Sequence, residues 1–183
     1  MKVTTTEFKD LYILEPKVLQ DNRGYFLESY NRKTFSDNNF DLNFVQDNQS
    51  FSVKGALRGM HFQRPPFAQT KLVRVLQGVI QDVVIDLRKD QPTFKKYFSI
   101  KLSSENKKQL LVPKGFAHGL LVLSDTADVL YKCDEHYYPD AEGGVFFNDP
   151  EIGIKWEAED MNVIVSKKDG LLPLVSSSYL FAH

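Results

Sequence analysis

Two histidines, His61 in ALRGMHFQ and His118 in VPKGFAHG, lie in sequence that is rich in strand-forming residues. A catalytic metal site takes about three protein ligands and leaves one position open. The residues that follow His61 are Phe62, Gln63 and Arg64, none of which is a usual metal ligand. Histidine exchanges protons near neutral pH because its ordinary pKa is about 6.5. The pattern therefore predicts acid–base chemistry without a metal.

The segment from Pro113 to His118, PKGFAH, resembles the second half of the cupin signature, in which a Pro-x-Gly turn delivers a histidine into a β-barrel. In the metal-binding cupins, the first half of the signature supplies a His-x-His pair and then a glutamate. The corresponding stretch here has His61 alone, and no glutamate follows until Glu105. The resemblance favours a barrel pocket, and the departure from the signature argues against a metal in it.

Two arginines are candidates for binding phosphate, because the guanidinium group can bind it through two parallel hydrogen bonds. Arg23 lies in a turn beside Gly24, and Arg58 lies three residues before His61. Positions 58 and 61 would face opposite sides of a regular strand, so we expect a bulge at Gly59 to bring both to the pocket. Taken singly, each arginine is more often explained as a solvated surface charge.

Further polar residues could complete an acid–base site. Asp169 could orient a histidine, Tyr131 could donate a proton, and Lys71 could stabilise a developing oxyanion. Each also has an ordinary explanation: an Asp-Gly turn, a strand tyrosine and a solvated lysine. The cluster Gln46, Asp47 and Asn48 offers donors and acceptors to a base or a sugar.

The composition predicts one soluble domain spanning residues 1–183. The formal charge of −1 gives no general reason to expect nucleic acid or an anionic membrane as a partner. The N-terminus lacks the apolar region of a signal peptide, and no run approaches the roughly 20 apolar residues of a membrane span. Cys133 is the only cysteine, which excludes an intrachain disulfide and favours a cytoplasmic location.

The elements that must position these residues are strands, because the hydrophobic pattern has a period of two. Residues 71–88 are predicted to form two strands joined near Gln77-Gly78. In the second strand, one face carries Val79, Gln81, Val83, Ile85 and Leu87, and the other face carries Ile80, Asp82, Val84 and Asp86. Many short strands between closely spaced turns predict an all-β, antiparallel jelly-roll barrel with a few short peripheral helices. We predict helices within Asn31–Asn39 and at the start of Pro150–Asp160. The other strand candidates are Tyr97–Leu102, Gln109–Val112, Gly119–Leu123, Ala127–Lys132 and Asn162–Ser166.

The first 50 residues contain extended segments around Gly24 and Phe44-Val45-Gln46. Such segments can pair with the sheet of another subunit. We therefore expect the N-terminal segment to contribute to a dimer.

Nine sequence blocks, in order and at similar spacing from Phe8 to Gly170, together resemble the dTDP-4-dehydrorhamnose 3,5-epimerase family. A single Pro-x-Gly-x-x-His is weak evidence, whereas nine ordered blocks are highly specific. The tail after Gly170 matches no family motif. The blocks are DxRGxFxESY (21–30), FVQDNxS (44–50), GALRGMHFQ (55–63), QTKLVRV (69–75), VPKGFAHG (112–119), LYK (130–132), YYPDAE (137–142), NDP (148–150) and SKKDG (166–170).

The resemblance implies an isomerase that needs no cofactor and inverts C3 and C5 of dTDP-4-dehydro-6-deoxy-D-glucose, on the way to dTDP-L-rhamnose. Both carbons flank the C4 ketone, so either proton can leave as an enolate forms. This chemistry requires a base on one face of the sugar, an acid on the other and a cation or donors at the ketone oxygen. The resemblance also implies a homodimer in which the segment carrying Arg23 crosses to the neighbouring active site.

Carried over residue by residue, the resemblance makes His61 the base, Tyr131 the proton donor and Asp169 the carboxylate that orients His61. It makes Lys71 the residue that stabilises the enolate oxygen and puts Arg58 beside the diphosphate. The remaining positions implied to bind substrate are Arg23, Glu28, Gln46, Asp47, Asn48, His118, Tyr137, Glu142 and Lys168.

Three other functions stay open at this point. A monofunctional C3 or C5 epimerase of another deoxysugar would keep most of the same motifs. A metal-dependent cupin enzyme would bind iron, manganese or zinc stoichiometrically. A sugar-binding cupin without activity would bind ligand and exchange no protons with solvent.

Overall fold

The computed structural model describes residues 1–182, which form fourteen strands, one short α-helix and three turns of 3₁₀-helix. The helix α1 spans Arg32–Asp37, and the 3₁₀ turns span Pro139–Ala141, Asp169–Leu171 and Val175–Ser177. The strands are β1 (Lys2–Thr5), β2 (Tyr12–Glu15), β3 (Val18–Asp21), β4 (Gly24–Leu27), β5 (Gln46–Val53), β6 (Ala56–Gln63), β7 (Lys71–Gln77), β8 (Val79–Asp86), β9 (Tyr97–Ser103), β10 (Gln109–Val112), β11 (Phe116–Val122), β12 (Thr126–Cys133), β13 (Glu142–Gly144) and β14 (Ile164–Val165).

Two large sheets pack face to face. The first has the strand order β1-β2-β10-β7-β12-β5, and the second has the order β13-β6-β11-β8-β9 with β14 added in parallel to β6. The core between them joins Val73 and Val129 of the first sheet to Ile80, Val84 and Leu120 of the second. The predicted all-β jelly roll of the cupin type is confirmed.

The chain passes from one sheet to the other at Gly78. This glycine has a φ of +82°, and a Cβ atom here would lie 2.1 Å from the carbonyl oxygen of Thr126. The predicted pair of strands within residues 71–88 is therefore present, but β7 pairs with β10 and β12 while β8 pairs with β9 and β11. Each of the other five strand candidates overlaps an observed strand.

Strand β8 is buried on both faces, and each face carries apolar residues. Ile80 and Val84 face the core between the sheets. Val83 and Ile85 belong to a second core, which the C-terminal segment covers. The tail that matches no sequence motif thus has a packing role, and its buried members are Val175 and Phe181.

The helix predicted within Asn31–Asn39 is confirmed as α1. The side chain of Asn31 caps it by accepting a hydrogen bond from the backbone N–H of Lys33 at 2.9 Å, and Phe35 anchors it to the outer face of the first sheet. The helix predicted at the start of Pro150–Asp160 is wrong, because this stretch forms turns, with Gly153 at a φ of +63°. No helix in residues 1–182 is long and apolar enough to cross a membrane.

Strands β3 and β4 form a hairpin that pairs only with itself within residues 1–182. Its apolar side chains are exposed: Leu19 is 52%, Tyr25 is 55% and Phe26 is 69% accessible to solvent. An isolated two-stranded hairpin is at best marginally stable in water. The hairpin therefore presents apolar side chains to solvent without support from a further strand in residues 1–182.

Candidate active site

A cavity opens between the two large sheets. It has a volume of about 540 Å³ and is lined by residues of both sheets. An adjoining cavity of about 300 Å³ shares His61, Lys71 and Tyr131 with it. These three side chains therefore lie where the two spaces meet, and we call the two spaces together the inter-sheet cavity. A concave site with a few convergent polar groups is the usual form of a small-molecule site.

His61 and Asp169 form a hydrogen-bonded pair at this junction. The Nε2 atom of His61 lies 2.8 Å from Oδ1 of Asp169, and Oδ2 of Asp169 accepts a hydrogen bond from the backbone N–H of Gly59 at 3.1 Å. The hydroxyl of Ser166 accepts a bond from the backbone N–H of Asp169 at 3.0 Å and so fixes the 3₁₀ turn. Burial lowers the pKa of His61, and the charge of Asp169 opposes that shift in part. A neutral, oriented imidazole is suited to accept a proton.

A bulge in β6 brings Arg58 and His61 to the same cavity. His61 lies opposite His118 on β11, whereas Arg58 lies opposite Leu120, so that β6 has one residue more than β11 between the two pairs. Gly59 has a φ of +122°, and a Cβ atom on it would lie 2.6 Å from the Cα atom of Gly119. The bulge predicted at Gly59 is confirmed, and it requires a residue without a side chain.

The Arg58 side chain is held by β5. Its Nε atom donates a hydrogen bond to the hydroxyl of Ser52 at 2.9 Å, and its Nη2 atom donates one to the carbonyl of Phe51 at 3.4 Å. Ser52 is buried, and nothing in the sequence alone marks it as a partner of this arginine. The guanidinium therefore has a fixed direction at the wall of the cavity.

Tyr131 on β12 and Lys71 on β7 face the cavity from the first sheet, opposite His61. Burial raises the pKa of Tyr131, which keeps its phenol protonated. Burial lowers the pKa of Lys71, whose ammonium lies 5.9 Å from the centre of the Tyr131 ring. The two sheets thus bring an imidazole–carboxylate pair from one side, and a phenol and an amine from the other, to one cavity.

His118 has a carboxylate partner that the sequence analysis missed. Its Nε2 atom lies 2.9 Å from Oδ2 and 3.1 Å from Oδ1 of Asp82 on β8, and both residues are buried. The available signal was an aspartate within the apolar run VIQDVVID. A buried carboxylate needs such a partner. His118 lines the cavity beside His61 as the second of two histidine–aspartate pairs.

The far end of the inter-sheet cavity is bounded by a group of charged and phenolic side chains. Glu142 accepts hydrogen bonds from the hydroxyl of Tyr137 at 2.9 Å and from Nζ of Lys168 at 2.6 and 2.7 Å. Burial opposes ionisation of Glu142, but these bonds outweigh it and lower the pKa of that carboxyl. The same hydrogen bonds raise the pKa of Tyr137 and that of Lys168. Gln46 and Asn48 line the same end.

Three candidate substrate-binding residues do not reach this cavity within one subunit. Asp47 lies on the outer face of β5, where it forms an ion pair with Lys132 at 2.9 Å. Arg23 is in the β3–β4 hairpin and pairs with Asp21 on the exposed surface. Glu28 accepts hydrogen bonds from Asn31 and Thr34 at the start of α1.

Within residues 1–182, no three side chains of the types His, Cys, Asp or Glu come together as a group that could hold a metal ion. The sequence predicts chemistry without a metal, and this stays a prediction.

The family model of dTDP-4-dehydrorhamnose 3,5-epimerase matches residues 5–177 of the chain. The chain is 47% identical to the enzyme of that name from Salmonella typhimurium over 181 residues, which is 98% of each protein. It superposes on a dTDP-4-dehydrorhamnose 3,5-epimerase from Elizabethkingia anophelis with a TM-score of 0.91 and 48% identity, covering 98% and 99% of the two chains.

A dTDP-6-deoxy-D-glucose-3,5-epimerase from Legionella pneumophila, solved in complex with dTDP-4-keto-L-rhamnose, has a TM-score of 0.92 and 42% identity, with 96% of this chain and 93% of that one covered. Similarity at this level over nearly the whole length exceeds what a shared fold alone produces. The chain is therefore an isomerase that belongs to the dTDP-4-dehydrorhamnose 3,5-epimerase family.

Proposed function

We propose that this protein inverts C3 and C5 of dTDP-4-dehydro-6-deoxy-D-glucose and forms dTDP-4-dehydro-L-rhamnose. The observation that carries the proposal is the approach of the His61–Asp169 pair and Tyr131 to one cavity from opposite sheets. Epimerisation next to a ketone requires this division, because the proton leaves from one face of the sugar and another returns to the opposite face. The ligand of the Legionella pneumophila relative is the product of this reaction.

In the proposed mechanism, His61 is the base. Its Nε2–H donates to Asp169, which leaves Nδ1 to take the proton from the substrate carbon. The electron pair of the broken C–H bond forms a double bond between that carbon and C4, and the C4 ketone becomes an enolate. Asp169 stabilises the imidazolium that forms, because the carboxylate is already hydrogen-bonded to it.

Lys71 and Tyr131 complete each inversion. The Lys71 ammonium stabilises the enolate oxygen, where a cation contributes most in a site that excludes water. As the enolate collapses back to the ketone, the phenol of Tyr131 gives its proton to the carbon from the face opposite His61. The phenolate and the imidazolium then return to their starting states by proton exchange. The same cycle serves C3 and C5, since both are adjacent to C4.

The remaining cavity residues bind the nucleotide sugar. Arg58 binds the diphosphate through its forked guanidinium, which Ser52 already orients. Lys168 adds a second positive charge. Tyr137 binds the thymine or the sugar. Further polar contacts come from Gln46, Asn48, His118 and Glu142.

The proposed unit is a homodimer in the cytoplasm. An exposed hairpin with three apolar side chains supports an interface at β3–β4, and the separation of Arg23 and Glu28 from the cavity of their own subunit supports a role in the neighbouring one. The single cysteine, Cys133, is a free thiol in the interior, which is compatible with a reducing compartment.

The decisive experiment is solvent proton exchange. The protein is incubated with dTDP-4-dehydro-6-deoxy-D-glucose in D₂O, and deuterium is located by NMR. We expect label at C3 and C5, and reduction by an NADPH-dependent reductase should then yield dTDP-L-rhamnose. Label at one carbon only would indicate a monofunctional epimerase, and no label with folded protein would reject this substrate.

A further inference from the structure

The segment from Glu135 to Tyr138 follows β12 and carries Tyr137 to the edge of the inter-sheet cavity. None of its four residues belongs to a strand or a helix. Their backbone groups therefore lack the partners that regular secondary structure supplies, and they must be satisfied in another way. Side chains from neighbouring strands do this.

Three glutamines bind four consecutive residues of this segment. Gln69 donates from Nε2 to the carbonyl of Glu135 at 2.8 Å. Gln63 donates to the carbonyl of His136 at 3.0 Å and accepts from the backbone N–H of Tyr138 at 2.7 Å. The Oε1 atom of Gln46 accepts from the backbone N–H of Tyr137 at 2.9 Å. The segment is thus held by amide groups from β5, from β6 and from the residue two before β7.

Gln63 is the centre of this arrangement. It is 3% exposed, and its second amide hydrogen bonds the carbonyl of Phe67 at 2.7 Å. Both amide hydrogens of Gln63 are therefore used inside the protein, which leaves no donor for a ligand even though the side chain borders the cavity. Gln69 donates one amide hydrogen to the segment and also borders the cavity.

Tyr137 is fixed at both ends by these contacts. Its backbone N–H is bound by Gln46, and its hydroxyl donates to Glu142, which also binds Lys168. The direction of the ring therefore depends on the position of the backbone of residues 135–138.

We propose that Gln63 and Gln69 are positioning residues for binding of the nucleotide sugar, and that they act through Tyr137. The proposal rests on the proposed function, because it concerns the same cavity. In this proposal the two glutamines do not bind the substrate themselves. Their loss affects how tightly the substrate is held and leaves the proton-transfer groups in place.

The test measures kcat, KM and the Kd for dTDP by calorimetry for the Gln63→Leu variant. We expect KM and the Kd for dTDP to rise about tenfold and kcat to change less than about threefold, since uniform binding is lost. Gln81→Leu is the matched control. Gln81 is equally buried and holds another loop through the carbonyl of Lys155 and the N–H of Glu157, away from the cavity. It should lower thermal stability and leave KM and Kd unchanged.

A double-mutant cycle with Tyr137→Ala identifies the route of the effect. If Gln63 acts through Tyr137, Gln63→Leu raises KM in the wild-type background and adds no further rise in the Tyr137→Ala background. If the rise in KM of the double variant equals the product of the rises of the two single variants, Gln63 acts independently of Tyr137, which would overturn the proposal. Gln69→Leu removes a single hydrogen bond and provides the same cycle if Gln63→Leu does not fold.

The outcome is separable from that of the proposed function. A wild-type protein that introduces no deuterium into dTDP-4-dehydro-6-deoxy-D-glucose refutes the epimerase assignment. In an active wild type, a fall in kcat with unchanged KM for both glutamine variants refutes the positioning role alone.

Discussion

Burial moves the pKa values of His61 and Tyr131 in opposite directions, and each shift favours the form that the proposed mechanism needs. The pKa of His61 is lowered, which leaves the imidazole neutral and able to take a proton. The pKa of Tyr131 is raised, which leaves the phenol protonated and able to give one. Desolvation penalises the charged form of each group, so one physical cause produces both states.

The shift at His61 predicts the pH dependence of activity. Because the neutral form is active, kcat/KM should fall as the pH falls through the pKa of His61, with a midpoint below 6.5. In Asp169→Asn the loss of the carboxylate removes an influence that raises this pKa, so the midpoint should move further down. Turnover should also fall by about 10²-fold or more, because the amide does not stabilise the imidazolium. An unchanged or raised midpoint in pH-rate profiles would contradict the pairing.

Tyr131→Phe removes only the hydroxyl. We expect inversion to slow by roughly 10²–10⁴-fold while the fold is unchanged, since a positioned acid contributes about that factor. Exchange of substrate protons with D₂O should persist, because His61 still removes a proton and returns one to the same face. NMR detection of both processes in one sample separates them. Loss of exchange together with inversion would show that Tyr131 acts before proton abstraction.

Motif resemblance at the residue scale points to His61, Lys71, Tyr131 and Asp169, all four of which line the same cavity. It does not find the residues that hold them, such as Asp82 and Ser52. Their partnerships depend on strand register, which brings together residues 36 apart in the case of His118 and Asp82. The register between distant strands cannot be predicted from the local sequence.

Among the elements, β6 determines the site most directly, because its bulge turns Arg58 and His61 to one side. The bulge depends on Gly59 and on the close approach of Gly119. The spacing of Arg58 and His61 around Gly59 predicts its location. The local sequence of Pro150–Asp160 does not show that a helix is absent there. The stretch packs against β8, and this tertiary contact outweighs its weak helix propensity.

Gly59→Ala should disable the bulge. The added methyl group would clash with the Cα atom of Gly119 at 2.6 Å and with the carbonyl oxygen of His118 at 2.8 Å, in a backbone conformation that alanine disfavours. We expect a loss of about 1–3 kcal/mol in the free energy of unfolding, together with most of the activity. Urea denaturation measures the first quantity. Gly170→Ala is the control, because a Cβ atom there meets nothing within 4 Å, and wild-type stability of Gly59→Ala would reject the argument.

For the whole molecule, the main feature is that Arg23 and the hairpin that carries it lie on the exposed surface of their own subunit. The period of two and the closely spaced turns predict an antiparallel jelly roll, and the two packed sheets confirm it. The same pattern does not say whether another surface covers the hairpin, because exposed apolar residues such as Leu19 and Phe26 do not identify a partner.

Mixed dimers test whether Arg23 acts in the neighbouring subunit. Arg23→Ala and His61→Asn should each be strongly impaired alone. If Arg23 completes the partner's site, subunits mixed under exchanging conditions should recover about one quarter of wild-type activity, because half of the dimers have one intact site. Light scattering of the wild type should give a dimer mass. No recovery from verified mixed dimers would assign Arg23 to its own subunit, and a strict monomer would remove the interface.

The crossing of the chain at Gly78 has a consequence for refolding. It sends β7 and β8 into different sheets, so that these two consecutive strands do not pair with each other, and most strand pairings in residues 1–182 join distant segments. Chains with such non-local pairings fold slowly. Because His61 and Tyr131 belong to opposite sheets, the proposed mechanism requires both sheets to be in place. Regain of activity after dilution from denaturant should therefore coincide with the docking of the two sheets and follow the formation of strand structure.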